Sequence, residues 1–421
     1  MQEIAAALEK AADWLASRQK PDGSWPADRQ SFSMPVDWLS EFFVTCHASR
    51  ALLLADMPGH VENIQRAVTF CAGHDIEKGD PVSWHAMKLL ALQLSDSADN
   101  RKHVSRLVKT LVKKQDSRGF WPLYPATFNP TNYMIVSALA GSGTNEGLDG
   151  AARWFRNCMS ADRLGWGRDG DAKKAQVTST AKVSLSLLLC GERLDSRHLQ
   201  AARRFLECGQ NRDGSWNSPR FRVPSTDSTA CSALALMLLS KSPFNDRTKN
   251  AVNWLLNTQN KAGGWPHSKG DPSTFFMTSS AMFALAFWRH LHEQWERPEI
   301  SELRERMGKQ ATAIWLWRHL PTFLKERFER LLVRSMLDSK ALGSTKAAIM
   351  RRKEILRILS EEGPGDTAEV IDKLKPLPEY AHLSKKSHIT QIKNDLDYLR
   401  DINLVSLVRG RYAVVKDFLR D

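Results

Sequence analysis

Two apolar patterns alternate along the first 295 or so residues. Segments such as "IQRAVTFCA" (64–72) and "LQAARRFLEC" (199–208) place apolar residues at i, i+3 and i+4 with charges between them, the pattern of a helix with one face in water. The segments that follow, "FFVTCHASRALLLA" (42–55), "VTSTAKVSLSLLL" (177–189), "STDSTACSALALMLLS" (225–240) and "TFFMTSSAMFALAFW" (274–288), are apolar nearly all round, as buried helices are. Between the two kinds stand turns that end in Gly-x-Trp: "RQKPDGSW" (18–25), "GQNRDGSW" (209–216) and "TQNKAGGW" (258–265). The spacing predicts a unit of outer helix, Gly–Trp turn and inner helix.

Aligned on the Trp, an aromatic residue (Trp14, Phe205, Trp254) stands five before the Gln (Gln19, Gln210, Gln259), and an Ala (Ala11, Ala202, Ala251) three before the aromatic. "TLVKKQDSRGFW" (110–121) is a further copy; "AARWFRNCMSADRLGW" (151–166) is stretched by one residue and lacks the Gln; "RAVTFCAGHDIEKGD" (66–80) keeps only the Ala and the aromatic. Six copies at a period of about 48 residues indicate a repeat architecture. Six pairs can close into a ring whose inner helices line a cavity. In the turn, Gly accepts positive φ, the indole can pack between helices, and the Gln can bridge to backbone groups left open at a helix end. The motif therefore reads as a clamp between repeats, with Trp25, Trp216 and Trp265 buried. Gln-x-x-x-Gly-x-Trp with an upstream aromatic resembles the QW motif of the terpenoid cyclase and protein prenyltransferase superfamily, squalene cyclases included. The resemblance covers residues 1–296 and implies an all-α fold, an (α/α)6 toroid.

Stacking the inner helices on Ala51-Leu52, Leu89-Leu90, Ala138-Leu139, Ser184-Leu185, Ala233-Leu234 and Ala284-Leu285 places Thr45, Ser83, Asn132, Thr178, Asp227 and Thr278 six residues before each pair. His47 and His85 stand four before theirs. His47, His85, Asn132, Thr178, Asp227 and Thr278 are the expected cavity-lining set, and Asp227 is its one carboxylate. A carboxylate there suits a helix N-terminus by capping and by the helix dipole. "STDSTA" is also similar to the acid-bearing stretch of oxidosqualene, squalene–hopene and class II diterpene cyclases, which implies Asp227 as the catalytic acid that protonates an alkene or epoxide. The bacterial pattern carries carboxylates where this chain has Ser225 and Ser228. The related prenyltransferase β subunit holds zinc with an Asp and Cys two apart; here Asp227 is followed by Cys231. No metal and no cofactor are expected, and His47 and His85 read as hydrogen-bonded cavity histidines.

Residues 297–344 read as a helical connector broken at Pro321. Its Trp315, Trp317, Phe323, Phe328 and Leu331 among basic residues fit a helix packed on the toroid or one lying on a membrane surface. Residues 345–421 predict three helices, the second capped by Asp366 and the third with Ile389, Ile392, Leu396 and Leu399 at helical spacing, then two strands around "RGR" (409–411). This order resembles the winged helix-turn-helix of DeoR-like regulators. The resemblance implies DNA binding through Lys385, Lys386, His388, Gln391 and Lys393 on the third helix and Arg409 and Arg411 on the wing; contact with a protein partner is the alternative.

The chain has 421 residues, 42% hydrophobic and 25% charged, so a folded multidomain protein is expected. Net charge is +13, and segment 301–421 supplies +7 of it, 24 Lys and Arg against 17 Asp and Glu. Such a surplus suits an anionic partner. Six cysteines without a CxxC pair read as buried thiols of a reducing compartment. No signal peptide and no run long enough to span a membrane stand out, so a cytoplasmic location is expected. The function expected on these grounds is a non-enzymatic sensor, regulator or complex subunit. Its ring would take an isoprenoid, another apolar ligand or a peptide, and its winged helix would bind DNA or a partner protein. A class II terpene cyclase-like enzyme using Asp227 is the alternative.

Overall fold

In the computed structural model the described residues are 1–28, 40–55, 58–77, 80–93, 98–122, 129–319, 346–374, 385–401, 405–408 and 411–414. The chain forms two compact units, Met1–Phe328 and Glu329–Asp421.

The first unit is an α/α toroid. Its inner ring is α2 (Glu41–Ala55), α4 (Val82–Leu92), α6 (Asn129–Gly141), α8 (Val177–Leu189), α10 (Thr226–Leu239) and α12 (Phe275–Trp295), each packed on the next, with α12 closing onto α2. The outer ring is α1 (Gln2–Ala16), α3 (Val61–Gly73), α5 (Ala98–Lys113), α7 (Leu148–Asn157), α9 (Arg197–Cys208) and α11 (Asp246–Thr258). Burial follows the apolar pattern. α1 buries one face, Ile4, Ala7, Leu8, Ala11, Ala12, Trp14 and Leu15, whereas every residue of α10 except Asp227 is buried.

Five Trp residues, 25, 121, 166, 216 and 265, are wholly buried. Each indole Nε1 donates to a carbonyl near the end of its own outer helix: Leu15, Leu111, Phe155, Leu206 and Leu255, at 2.6–2.8 Å. Those carbonyls lie in the last turn, where backbone N–H partners within the helix run out, so each indole ends its helix and packs the turn inward. Each Trp backbone N–H donates to a side-chain oxygen on the next inner helix: Thr45, Asn132, Thr180, Thr229 and Thr278. The Gln amides join repeats. Gln19 donates to Asn63 O, Gln115 to Gly147 O and Gln210 to Arg247 O, each also holding its own turn through the Gly carbonyl. Gln259 reaches Ala7 O at 2.8 Å and closes the ring. Gly214 and Gly263 have φ of 92° and 104°, and a Cβ on either would run into the carbonyl of Asn250 or Lys10 on the neighbouring outer helix. Asp28 completes the closure by accepting from the N–H groups of Phe275 and Phe276 at the start of α12, at 3.0 and 2.8 Å.

α13 (Pro298–Met307) and α14, the helix over 309–319, belong to the same unit. Gln310 Nε2 donates to Leu239 O at 2.6 Å, and Arg318 donates twice to Leu188 O at 3.0 and 2.7 Å. α14 thus donates to carbonyls in the last turns of α10 and α8. Phe323, Phe328 and Leu331 lie outside the described residues. Among the described residues no helix is long and apolar enough to cross a membrane.

The second unit has α15 (Lys346–Glu362), α16 (Thr367–Leu374), α17 (Lys385–Asp401) and an antiparallel pair, β1 (Val405–Val408) and β2 (Arg411–Val414). Its core joins Ile355 and Leu359 of α15, Val370 and Leu374 of α16, Ile392, Leu396 and Leu399 of α17, and Val405 and Tyr412 of the strands. Asp366 Oδ1 accepts from Glu369 N while Glu369 accepts from Asp366 N, a reciprocal cap on α16. Of the cysteines, Cys208 is exposed and Cys190 half-buried; Cys46, Cys71, Cys158 and Cys231 are buried, and none is in a disulfide.

Candidate active site

The Trp amide bonds fix the register of the inner helices. Two residues before each accepting side chain stand Phe43, Thr178, Asp227 and Phe276; two after stand His47, Met134, Lys182, Cys231 and Ser280; five after stand Arg50, Ser137, Leu234 and Phe283. All of these line one cavity of about 300 Å³ in the ring, and Met87 and Leu90 of α4 join the second and third levels. An i, i+4, i+7 face points inward on each helix, as 3.6 residues per turn requires. The expected stack is two residues out of step in the second, fourth and fifth repeats, because His85, Thr180 and Thr229, not Ser83, Thr178 and Asp227, are the counterparts of Thr45.

Of the expected lining residues, His47, Thr178 and Asp227 face the cavity. Asn132 and Thr278 stand behind the wall as acceptors for Trp121 N and Trp265 N. His85 occupies the α4 place that corresponds to Thr45 and is not part of the lining, so the two histidines are not a cavity pair. Arg50, Tyr133 and Lys182 are cavity residues that pattern reading missed. The available signal was a charge in the middle of an otherwise apolar helix: "HASRALLL" and "STAKVSLS".

Asp227 sits in the first turn of α10, but Ser225 is the cap, accepting from Ser228 N. The carboxylate turns into the ring instead. Its Oδ2 accepts from Lys182 Nζ at 3.4 Å; its Oδ1 accepts from Ser280 Oγ at 3.3 Å and Cys231 Sγ at 3.4 Å. Among the described residues it is the one carboxylate in the lining. Burial works against the Lys182 ammonium, yet the Asp227 carboxylate raises it above the ordinary lysine range. Burial raises the Cys231 thiol, with the Asp227 charge adding to it, so it stays S–H. The wall around the pair is aromatic. Lys182 Nζ lies 5.8 Å from the Phe276 ring centre, and His47 packs on Phe43 at 4.6 Å and edge-on to Phe276 at 5.4 Å. Burial, then the charges of Arg50 and Lys182, push His47 down to about 3, so it is a neutral imidazole. Trp317 of α14 joins the lining and packs against Phe287 at 5.1 Å. At the other end the lining ends in Arg168, Arg220 and His267 on the loops that follow Trp166, Trp216 and Trp265. Among the described residues no group of His, Cys, Asp and Glu could hold a metal ion.

In the second unit, α17 carries Lys385, Lys386, His388, Gln391 and Lys393, of which Lys393 is exposed. Arg409 lies outside the described residues. Arg411 is engaged within the unit, donating to Pro364 O at 2.7 Å and to Glu369 at 2.8 Å.

Two concentric rings of six helices around an apolar cavity define the architecture. The chain belongs to the prenyltransferase alpha-alpha toroid domain family, whose model matches residues 82–235 and 229–316. A squalene–hopene cyclase of Bradyrhizobium diazoefficiens is 24% identical over 230 residues, 51% of this chain and 30% of that enzyme, so the chain spans under a third of its length. Type II terpene cyclase MstE from Scytonema shares the fold, with a TM-score of 0.53 at 14% identity over 68% of this chain and 97% of that one. Variants of the same cyclase with its substrate, geranylgeranyl dihydroxybenzoate, or its product, merosterolic acid A, each give a TM-score of 0.52 over 68% of this chain and 97% or 96% of theirs. These findings overturn the expected non-enzymatic sensor or regulator: the sequence relative is a cyclase, and the cyclase structures that share the toroid hold substrate and product. They give no support to a DNA or protein partner for the second unit, which lies beyond the family match.

Proposed function

We propose that the toroid is the catalytic unit of an isoprenoid-cyclising enzyme of the class II terpene cyclase type, with Asp227 as its acid. The observation that carries this is the placement of the one carboxylate of the lining, on a wall of aromatic rings, at hydrogen-bond distance from a buried ammonium. Phe43, Phe276 and Phe283 present π faces that stabilise a cation in a dry site. Asp227 donates only when protonated. The protonated carboxyl delivers its proton to a terminal alkene or epoxide, the chain cyclises as a carbocation stabilised by the aromatic wall, and the proton lost at the end returns to the carboxylate. An epoxide oxygen is more basic than an alkene, so the weaker acid suffices there and a terminal epoxide is the favoured substrate form. Acyclic isoprenoids and their terminal epoxides, incubated with the protein and followed by mass spectrometry, test the reading. A cyclic product is expected, lost in Asp227→Asn while the fold persists; no product from any of them sinks it.

The hydrogen bonds of Gln19, Gln115, Gln210 and Gln259 support reading the Gln–Trp segments as QW-type clamps. The helix–helix–helix–hairpin order supports reading the second unit as a winged helix; the first part of the expected 297–344 connector, α13 and α14, belongs to the toroid unit instead.

A further inference from the structure

We propose that the deep end of the cavity is a carboxylate-binding subsite centred on Arg50, so that the ring takes an apolar carboxylic acid. This rests on the reading of the ring as an isoprenoid site and names the head group of that ligand. Arg50 projects from α2 at the third level of the lining, beside the Phe283 ring at 5.3 Å. Among the described residues no oxygen accepts a hydrogen bond from its guanidinium and no carboxylate pairs with it. The other cations set among the inner helices have partners. Lys182 faces Asp227, Arg289 donates to Ala55 O at 2.6 Å, and Arg318 donates to Leu188 O.

Burial lowers Arg50 from the ordinary arginine value, but a guanidinium stays charged in proteins. Arg50 is half-buried and opens onto the cavity; once a ligand displaces water there, a charge without a counter-ion is costly, so the site suits an anion. The balance of charge selects which. Lys182 and Asp227 cancel, His47 is neutral, and the Tyr133 phenol, raised by burial, is neutral too. At this end of the cavity one positive charge is left over; the other two arginines of the lining, Arg168 and Arg220, stand at the opposite end. A carboxylate neutralises the Arg50 charge and matches the planar two-pronged geometry of a guanidinium; a diphosphate would bring more negative charge than the Arg50 end holds positive. Two further groups in the same lining, His47 Nε2 and Trp317 Nε1, are buried without a hydrogen-bond partner. The apolar body then lies along Phe43, Phe276, Met87 and Leu234, with Asp227 beside the tail rather than the head.

Isothermal titration with an all-trans C15 isoprenoid acid, its methyl ester, its alcohol diphosphate and a straight-chain C16 acid tests this on the full chain, with Arg50→Gln and Arg50→Lys alongside and melting curves to confirm the fold. The isoprenoid acid is expected to bind the wild type at least tenfold tighter than the ester. Arg50→Gln should erase that preference while leaving the ester within twofold, and Arg50→Lys should restore part of it. Equal binding of acid and ester, or an Arg50→Gln loss shared by both, overturns the subsite while leaving the isoprenoid reading intact. Tighter binding of the diphosphate through Arg50 overturns the choice of carboxylate. Arg50-dependent binding of the straight-chain acid alone upholds the subsite and sinks the isoprenoid reading, and no binding of any probe sinks both.

Discussion

Asp227 and Asp395 are both carboxylates set among helices, and they are held in different ways. Asp395 of α17, 2% exposed, is gripped by Arg351 at 2.7 Å and Arg352 at 2.8 Å, both from α15. Asp227 has Lys182 at 3.4 Å and two weak donors, and it opens onto a cavity. The same contrast divides the toroid into a frame and a wall. In the frame, the Trp, Gln and Asp28 groups are satisfied at 2.6–3.1 Å across neighbouring helices. On the wall, Asp227 is loosely paired, Arg50 lacks an oxygen partner among the described residues, and His47 Nε2 has no partner. Fully paired polar groups hold a fold together. Loosely paired ones beside a cavity leave bonding capacity for a ligand.

The first way to break this comparison is to exchange the two carboxylates for amides. Asp227→Asn removes the acid and should lower turnover of a cyclised isoprenoid by about 10²–10⁴-fold, with the melting temperature little changed. Asp395→Asn leaves two arginines without their shared counter-charge and should cost about 3–5 kcal/mol in the second unit, read by denaturant unfolding, with cyclisation unaffected. A collapse of the toroid in Asp227→Asn would move Asp227 from wall to frame.

Within the frame, Trp265→Ala should cost about 3–5 kcal/mol, since it empties a fully buried site and takes the indole donor from the Leu255 carbonyl. Gln259→Ala takes the donor from Ala7 O and Gly263 O and should cost about 1–3 kcal/mol. Because this bond joins the last repeat to the first, hydrogen exchange should rise in α1 before it rises in α8. Uniform exchange across the ring would mean that Gln259 is not the closing clamp.

The frame was legible in the sequence and the wall only partly so, for a physical reason. The Trp turn needs Gly at positive φ, a Trp and a bridging Gln, so its residue types recur. The inner helices need only small and large apolar residues, and "VSLSLLL" and "SALALMLL" repeat every two residues, so an alignment shifted by two fits as well. Counting from the Trp resolves it, since the accepting Thr stands 14, 13 and 13 residues after Trp166, Trp216 and Trp265. That count places Asp227 level with Phe43 and Phe276 and so on the cavity face. In the second unit the apolar spacing of α17 marked its core side, but no pattern marked Arg351, Arg352 and Asp395 as a triad, because charges on an amphipathic helix look alike until a partner helix is in place.

The smallest expected effect separates wall from frame by proton binding. His47 is held to about 3 by burial and by the charges of Arg50 and Lys182, against 6.5 for a free imidazole. Between those values the unfolded chain binds a proton that the folded chain refuses. Stability contributed by the neutral ring is therefore present above pH 6.5 and lost as pH falls toward 3, with a slope of at most about 1.4 kcal/mol per pH unit. Met stands at the same level on α4 and α6, as Met87 and Met134, so His47→Met keeps an apolar wall while removing the titrating group. The variant should lose less stability than the wild type on acidification, by under about 1 kcal/mol at pH 6 and more at pH 5. His290, held to about 4 by burial, acts in the same direction in both proteins and cancels in the difference. Parallel melting profiles between pH 7 and 5 would show that folded His47 takes up its proton normally, and the ring would then belong to the satisfied frame.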